Sequence, residues 1–465
     1  MTPMIEQYEY LRRTDALCDL LIGAIDTGAM TLEELFPALP PLPEYHMQLI
    51  NEANPEFIAA VLKPKNRKVV QAHAMGVKQY LADLEQGMQE GKPMVGYFPS
   101  ITPELFYSMG LNPLSVETMS VYIAAAFDKG IEAELDESEA AGFPGHACGI
   151  QRGPFGAYAK GAAPMADVFV KCSAPCDSSN MFYQYTLDKY KVPLLLVDAP
   201  YHSDERAFEF FLDEFKQMLK DLEEMFDCKI DEDDLRKRVT MGNEQLSHLY
   251  ALQKLRRQKP NPDPGMHRAL DFGSLSVAGS NQQHVDYMKL CHEEARQRVE
   301  NNQSFLPEGK KEIRTVWTWG FTPHMIFIYD WLEEQYGATY LECATSTLPE
   351  EIVGYVDTTD VDSMIRGLAW RSFNFPMQRT VMSFSDVYVN DMVKIAKDYD
   401  ADAAVYSGNQ SCRHAWAAAK RISDAIMDET DARSLTWETD FIDKRFTSHA
   451  ATKALLGEFF TTFEQ

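Results

Sequence analysis

The sequence predicts an α/β protein made of two parallel-sheet halves, with helical regions at the N-terminus and in the middle. Three observations carry this expectation. Apolar runs of strand length recur in two separate series. Amphipathic helical patterns alternate with those runs. A long stretch with helical character alone divides the two series. Strands that alternate with helices pack as a parallel sheet covered on both faces.

In chain order, residues 1–91 read as a helical N-terminal region. Helical stretches there flank a proline-rich turn, Pro37-Ala-Leu-Pro-Pro-Leu-Pro43, and one helix is expected over 70–89. Residues 92–230 form the first α/β domain, with strands expected at 94–98, 167–170 and 193–197. A long helix follows Ser203, whose hydroxyl can cap it, with Asp204 and Glu205 in the first turn to suit the helix dipole. Phe208, Phe211, Leu212, Phe215, Leu219, Leu222 and Phe226 recur at three- and four-residue spacing and form one apolar face. Residues 231–310 read as a helical connecting region, broken at Lys259-Pro-Asn-Pro-Asp-Pro-Gly265 and closed by the polar stretch 303–311. The second α/β domain, 311–465, has strands expected at 313–317, 339–342, 403–406 and 434–437.

Composition narrows the function. The 465 residues are 45% hydrophobic and 25% charged, the balance of an ordinary globular protein. No apolar run reaches the roughly 18–20 residues of a membrane span, and the first residues lack the basic start and apolar core of a signal peptide. A cytoplasmic location is expected. The net charge of −26 argues against nucleic acid and anionic membranes as partners. Eight cysteines are too few for a disulfide scaffold and read as thiols, metal ligands or catalytic groups. The chain carries no Walker phosphate loop, no G-x-G-x-x-G, no H-E-x-x-H and no G-x-S-x-G.

Three cysteines stand apart: Cys148 in His146-Ala-Cys-Gly149, Cys176 in Lys171-Cys-Ser-Ala-Pro-Cys-Asp177, and Cys412 in Gly408-Asn-Gln-Ser-Cys-Arg413. Each is expected where a buried strand gives way to a helix. In parallel sheets ligands bind at the carboxyl ends of strands, and a helix N-terminus favours the thiolate that metals need. The glycines around Cys148 suggest backbone lying close to a bulky group, with N–H groups turned toward it. Cys18, Cys228, Cys291 and Cys343 read as packing residues. Cys172 and Cys176 form a C-x3-C, which is not a zinc-knuckle spacing. Spacing alone leaves metal binding and simple packing both open. His146 and His414, beside the cysteines, and Glu438 of the Glu438/Asp440 pair are the acid–base candidates.

Taken together, six segments in order resemble the 2-hydroxyacyl-CoA dehydratase and benzoyl-CoA reductase family of iron–sulfur subunits. They are Ile101-Thr-Pro-Glu-Leu-Phe-Tyr-Ser-Met-Gly-Leu-Asn-Pro113, the glycine segment at Cys148, Cys172-Ser-Ala-Pro-Cys-Asp177, Val192-Pro-Leu-Leu-Leu-Val-Asp-Ala-Pro-Tyr201, Gly408-Asn-Gln-Ser-Cys-Arg413, and Trp437-Glu-Thr-Asp-Phe-Ile-Asp-Lys-Arg-Phe446. The resemblance implies two Rossmann-like domains facing each other, with Cys148, Cys176 and Cys412 holding a 4Fe–4S cluster between them. It implies an acyl-CoA substrate, a related second subunit, and a separate ATP-dependent iron–sulfur activator. The implied reaction removes water from a 2-hydroxyacyl thioester through a ketyl radical after one-electron activation. The alternatives are a benzoyl-CoA reductase-type subunit reducing an aromatic or enoyl thioester, and a non-catalytic iron–sulfur electron-transfer protein. Were Cys172 a fourth ligand, the cluster would be closed and the subunit would only relay electrons. The first ninety residues match no part of the family pattern, and no basic motif for the CoA phosphates stands out.

Overall fold

The computed structural model of the chain describes residues 4–28, 34, 49, 52–277, 279–320 and 322–463; the expected proline-rich turn at 37–43 lies outside them. Four strands build the first sheet: β1 (Met94–Tyr97), β2 (Asn112–Leu114), β3 (Val168–Cys172) and β4 (Leu194–Val197). Four build the second: β5 (Ile313–Trp317), β6 (Ala338–Cys343), β7 (Ala403–Asn409) and β8 (Arg433–Thr439). Every pairing is parallel, and the two orders match, β2-β1-β3-β4 and β6-β5-β7-β8. The central strands β1, β3, β5 and β7 are buried at every residue, which is why they read as continuous apolar runs. At the edges, β4 and β8 are partly exposed.

β2 is absent from the expected strands. It is three residues long and contains Pro113, which cannot donate to the ladder, so it lies at a sheet edge. The long helix after β4 spans Glu205–Phe226, and its cap is Asp204 rather than Ser203. The Ala207 N–H donates to Asp204 Oδ1 at 2.8 Å. A carboxylate here answers both the free N–H groups and the helix dipole. The apolar face of this helix is covered by helix Val361–Phe373, from the second half of the chain. Phe208 meets Trp370 with ring centroids 4.8 Å apart, and Phe211 meets Phe373 at 5.3 Å.

The middle of the chain forms three helices, Glu232–Arg256, Gly265–Ser276 and Gln282–Glu300. The sequence signals only the proline-rich break. The second break ends at Asn281, whose Oδ1 accepts from the His284 N–H and starts the third helix. A buried ionic network ties these helices to the second sheet. Arg256 holds Asp263 and Asp271 at 2.7 and 2.8 Å, and Arg268 holds Asp271 at 3.0 Å and also pairs with Glu342 of β6. Each charge is fully buried, so each needs its partner in place. One apolar core runs through both halves, joining Tyr10 and Leu17 of helix Glu9–Asp26 to Phe169 of β3, Trp317 of β5 and Val405 of β7. No helix among the described residues is long and apolar enough to cross a membrane.

Candidate functional site

In each sheet the chain order reverses beside the first strand, between β1 and β3 and again between β5 and β7. At such a switch the connections leave to opposite faces and open a crevice past the carboxyl ends of the strands. Phe98 and Pro99 follow β1, Cys176 follows β3, Trp319 and Gly320 follow β5, and Cys412 follows β7. All of them line one cavity of about 90 Å³, together with Cys148. The two switch points therefore face each other across a shared space.

All three cysteines occupy the N-cap position of a helix. Cys148 caps Gly149–Lys160, Cys176 caps Asp177–Tyr190, and Cys412 caps Arg413–Glu429. Three positive helix ends thus border the cavity, a setting that suits an anionic group. Cys176 and Cys412 follow strands as expected. Cys148 does not: it comes after helix Glu132–Ala140 and a turn. The glycines near it also serve a different purpose from the expected one. A Cβ on Gly156 would stand 1.8 Å from the Glu134 carbonyl oxygen, so this glycine lets two helices touch. The N–H groups at this turn are already engaged, Cys148 N–H by Ser178 Oγ at 3.2 Å and Gly149 N–H by Asp440 Oδ2 at 3.1 Å.

Asp440 is fully buried just past β8. Besides Gly149 it accepts from the Ile442 and Asp443 N–H groups, both at 2.9 Å, and so clamps the Cys148 turn onto the second half. Arg152 adds a second tie, to Asp443 at 2.6 Å. From the end of β7, Asn409 Nδ2 donates to Cys148 Sγ at 2.9 Å, while its Oδ1 accepts from Ser411 Oγ at 3.0 Å. Cys176 Sγ accepts from the Ser179 N–H at 3.3 Å. Burial pushes all three thiols up; the Ser179 N–H and then the buried Lys171 ammonium oppose this at Cys176. Lys171 Nζ donates to Asn180 Oδ1 at 2.6 Å and lies 5.4 Å from the centre of the Phe98 ring.

The other sequence candidates fall in different places. His414 lines the cavity, its ring nitrogens 3.7 Å from Cys412 Sγ, and burial pushes it down to about 4, so it is neutral at pH 7. His146 and Glu438 are exposed and lie outside the cavity lining. Cys172, at the end of β3, turns into the core with its Sγ 3.8 Å from Ser372 Oγ, and burial pushes it up to about 11. Cys18 and Cys291 are buried in the core, and Cys228 is half-buried. Cys343 does more than pack: its Sγ lies 3.0 Å from Ser346 Oγ and 4.0 Å from Arg268, and despite the opposing effect of burial its thiol is held below the usual range.

Sequence reasoning missed Glu117. It stands in the first turn of helix Val116–Ala126, 4% exposed, and lines the cavity. Gln151 Nε2 donates to its Oε1 at 3.3 Å, whereas Oε2 has no hydrogen-bond partner among the described residues. Burial pushes its carboxyl up to about 7, against the smaller pull of Gln151 and Lys171. In sequence it looks like any acidic residue opening a helix, and only its burial distinguishes it.

Among the described residues, no three His, Cys, Asp or Glu side chains close on a point as the ligands of a single metal ion do. The donor set fits a larger group instead. The ligands of an iron–sulfur cluster are Cys thiolates, each on its own iron, and so stand wider apart. Three thiols line one cavity, with a side-chain N–H on one sulfur and helix N-termini on three sides, and thiols are the donor type such a cluster takes.

Comparison with known proteins adds an independent finding. The family model described as 2-hydroxyglutaryl-CoA dehydratase, D-component, matches residues 98–461. The (R)-phenyllactyl-CoA dehydratase alpha subunit of Clostridium sporogenes is 22% identical over 245 residues, 50% of this chain and 60% of that subunit. The (R)-2-hydroxyglutaryl-CoA dehydratase subunit alpha of Acidaminococcus fermentans is 20% identical over 154 residues, 32% of each chain. The matched parts thus span less than two thirds of either relative.

Proposed function

Because this chain belongs to the 2-hydroxyglutaryl-CoA dehydratase D-component family, we propose that it is the iron–sulfur subunit of a 2-hydroxyacyl-CoA dehydratase-like lyase. The observation that carries this reading is the meeting of Cys148, Cys176 and Cys412, from two facing sheets, on one cavity. These residues would hold a 4Fe–4S cluster. When bound, such a cluster supplies a low-potential electron to the thioester carbonyl and an iron open to an oxygen ligand. The orientation of Cys172 toward Ser372, away from the cavity, favours three protein ligands over four.

The chain's own residues account for the remaining chemistry. One-electron reduction of the thioester carbonyl to a ketyl radical lets the neighbouring hydroxyl depart and makes the β-hydrogen acidic. Glu117 is the proton carrier. A carboxyl near pH 7 is poised both to take a proton from carbon and to give one to a departing hydroxyl. Gln151 holds Oε1, which leaves Oε2 for the substrate. The product set balances as a 2-enoyl thioester and water, with the electron returned. The largely apolar wall keeps bulk water from the radical. A related second subunit and an ATP-dependent iron–sulfur activator complete the enzyme.

The test is chemical analysis of protein purified without oxygen, followed by turnover with activator and partner. About four irons and four acid-labile sulfides per chain, with a visible spectrum bleached by reductant and release of a 2-enoyl thioester, are the expected result. A colourless, iron-free chain after anaerobic reconstitution refutes the cluster. Reduction of an aromatic or enoyl thioester without dehydration moves the chain to the reductase side of the family.

A further inference from the structure

We propose that the cavity accepts a 2-hydroxyacyl thioester with an uncharged, apolar acyl side chain and rejects one carrying a second carboxylate. This deepens the dehydratase reading and rests on it.

The walls around the cysteines are contributed by Phe98, Val121 and Ile150, by Phe272 of the middle region, and by Met377 and Phe441. Rings and aliphatic carbon line the space from every side of the crevice. An alkyl or aryl group entering it exchanges water for carbon contact. A carboxylate in the same position loses its hydration. The helix N-terminal N–H groups of Ile150, Ser179 and Ala415 are turned to the cysteine sulfurs, and the Trp319 indole N–H is a single neutral donor that does not replace that hydration.

The ionisable side chains of the lining sharpen the distinction. Glu117, buried in the wall, repels a second anion when it is ionised, whereas Asp177, like Arg413, is exposed to water at the mouth. Among the described lining residues, Arg413 is the single arginine, and no lysine is present. Arg413 opens its helix with an exposed side chain, so its charge is spent in water at the mouth and not in the apolar interior.

Two polar spots in this largely apolar space lack hydrogen-bond partners among the described residues: the Trp319 indole N–H, a donor, and the acceptor pair of Glu117 and Gln151. Glu117 Oε2 and Gln151 Oε1 belong to side chains 4% and 3% exposed, and neither has a hydrogen-bond partner among the described residues. Both are acceptors when Glu117 is ionised, and the 2-hydroxyl of the substrate is a donor. The pattern is one acceptor pair for the hydroxyl and an apolar surface for the rest of the acyl group.

The experiment uses the complete enzyme, the chain with its partner subunit and activator, and two substrates matched in shape. In 2-hydroxy-5-methylhexanoyl-CoA an isopropyl group stands where 2-hydroxyglutaryl-CoA has its carboxylate. The expected kcat/KM favours the neutral substrate by at least about tenfold. Phe272→Arg, which places a cation in the wall, is expected to narrow that ratio by at least about tenfold. Met377→Lys provides the same readout should the first variant fail to fold. Equal or better turnover of 2-hydroxyglutaryl-CoA by the unmodified enzyme overturns the proposal and leaves the dehydratase reading standing. Turnover of neither substrate, with no binding of either to the cluster-free chain, overturns both.

Discussion

Replacing Glu117 with Gln sets stability against function at one atom. Glu117 is buried with one oxygen unpartnered among the described residues, and burial pushes its carboxyl up to about 7 from the ordinary 4.5. Between these two values the folded protein keeps a proton that the unfolded chain has released. Stability therefore falls as pH rises through this window, and the loss is complete above the folded value. The interval corresponds to roughly 3 kcal/mol. Gln matches the shape of Glu and carries no charge at any pH, so Glu117→Gln removes this cost. In urea denaturation of the cluster-free chain, the variant is expected to be more stable than the parent by about 3 kcal/mol at pH 8 and by less than about 1 kcal/mol at pH 5. Turnover of the complete enzyme should fall by at least about a hundredfold while iron content is unchanged. A stability difference that is the same at both pH values, or a variant weaker than the parent at pH 8, refutes the argument that burial governs this carboxyl.

Other substitutions probe the scaffold around the cavity. Cys148→Ser, Cys176→Ser and Cys412→Ser should each lose iron and acid-labile sulfide after anaerobic reconstitution, whereas Cys172→Ser and Cys228→Ser keep both; equal iron in all five variants removes the ligand assignment. Asp440→Ala leaves three N–H groups without their acceptor, at Gly149, Ile442 and Asp443. It should cost about 2–4 kcal/mol in thermal denaturation and weaken iron retention through the loosened Cys148 turn. Gly156→Ala drives a Cβ into the Glu134 carbonyl, and a loss of about 3 kcal/mol is expected in the same assay.

Some parts of the site were legible in the linear chain because their cause is local. A buried parallel strand must be apolar along its whole length, so β1, β5 and β7 show themselves as short continuous runs. Helix starts are local too, which is why the three cysteines could be placed before helices without a structure. β2 escaped notice because three residues with a proline carry no strand pattern. The cover over Phe208 and Phe211 comes from helix Val361–Phe373, more than a hundred residues later, and no local pattern announces it.

Side-chain roles set by burial were the least legible. His146, His414 and Glu438 were chosen for their nearness to cysteines or strand ends, yet adjacency in sequence says little about which side of a turn a side chain takes. Of the three, only His414 reaches the cavity wall. Glu117 carries no motif, and its unusual carboxyl exists because the packed chain buries it, an effect that outweighs the opposing pull of Gln151 and Lys171. Asn409 and Asp440 likewise acquire their roles only when the second sheet meets the turn at Cys148.

The sequence by itself determined the two α/β series, the helices between them and the three cysteines at helix starts, since periodicity and capping act over a few residues. Only the tertiary structure decided that both switch points open onto one cavity, that Cys172 faces away from it, and that Glu117 is the buried carboxyl in its wall. Those outcomes depend on packing between segments hundreds of residues apart, where desolvation and close contact, not local propensity, choose the neighbours.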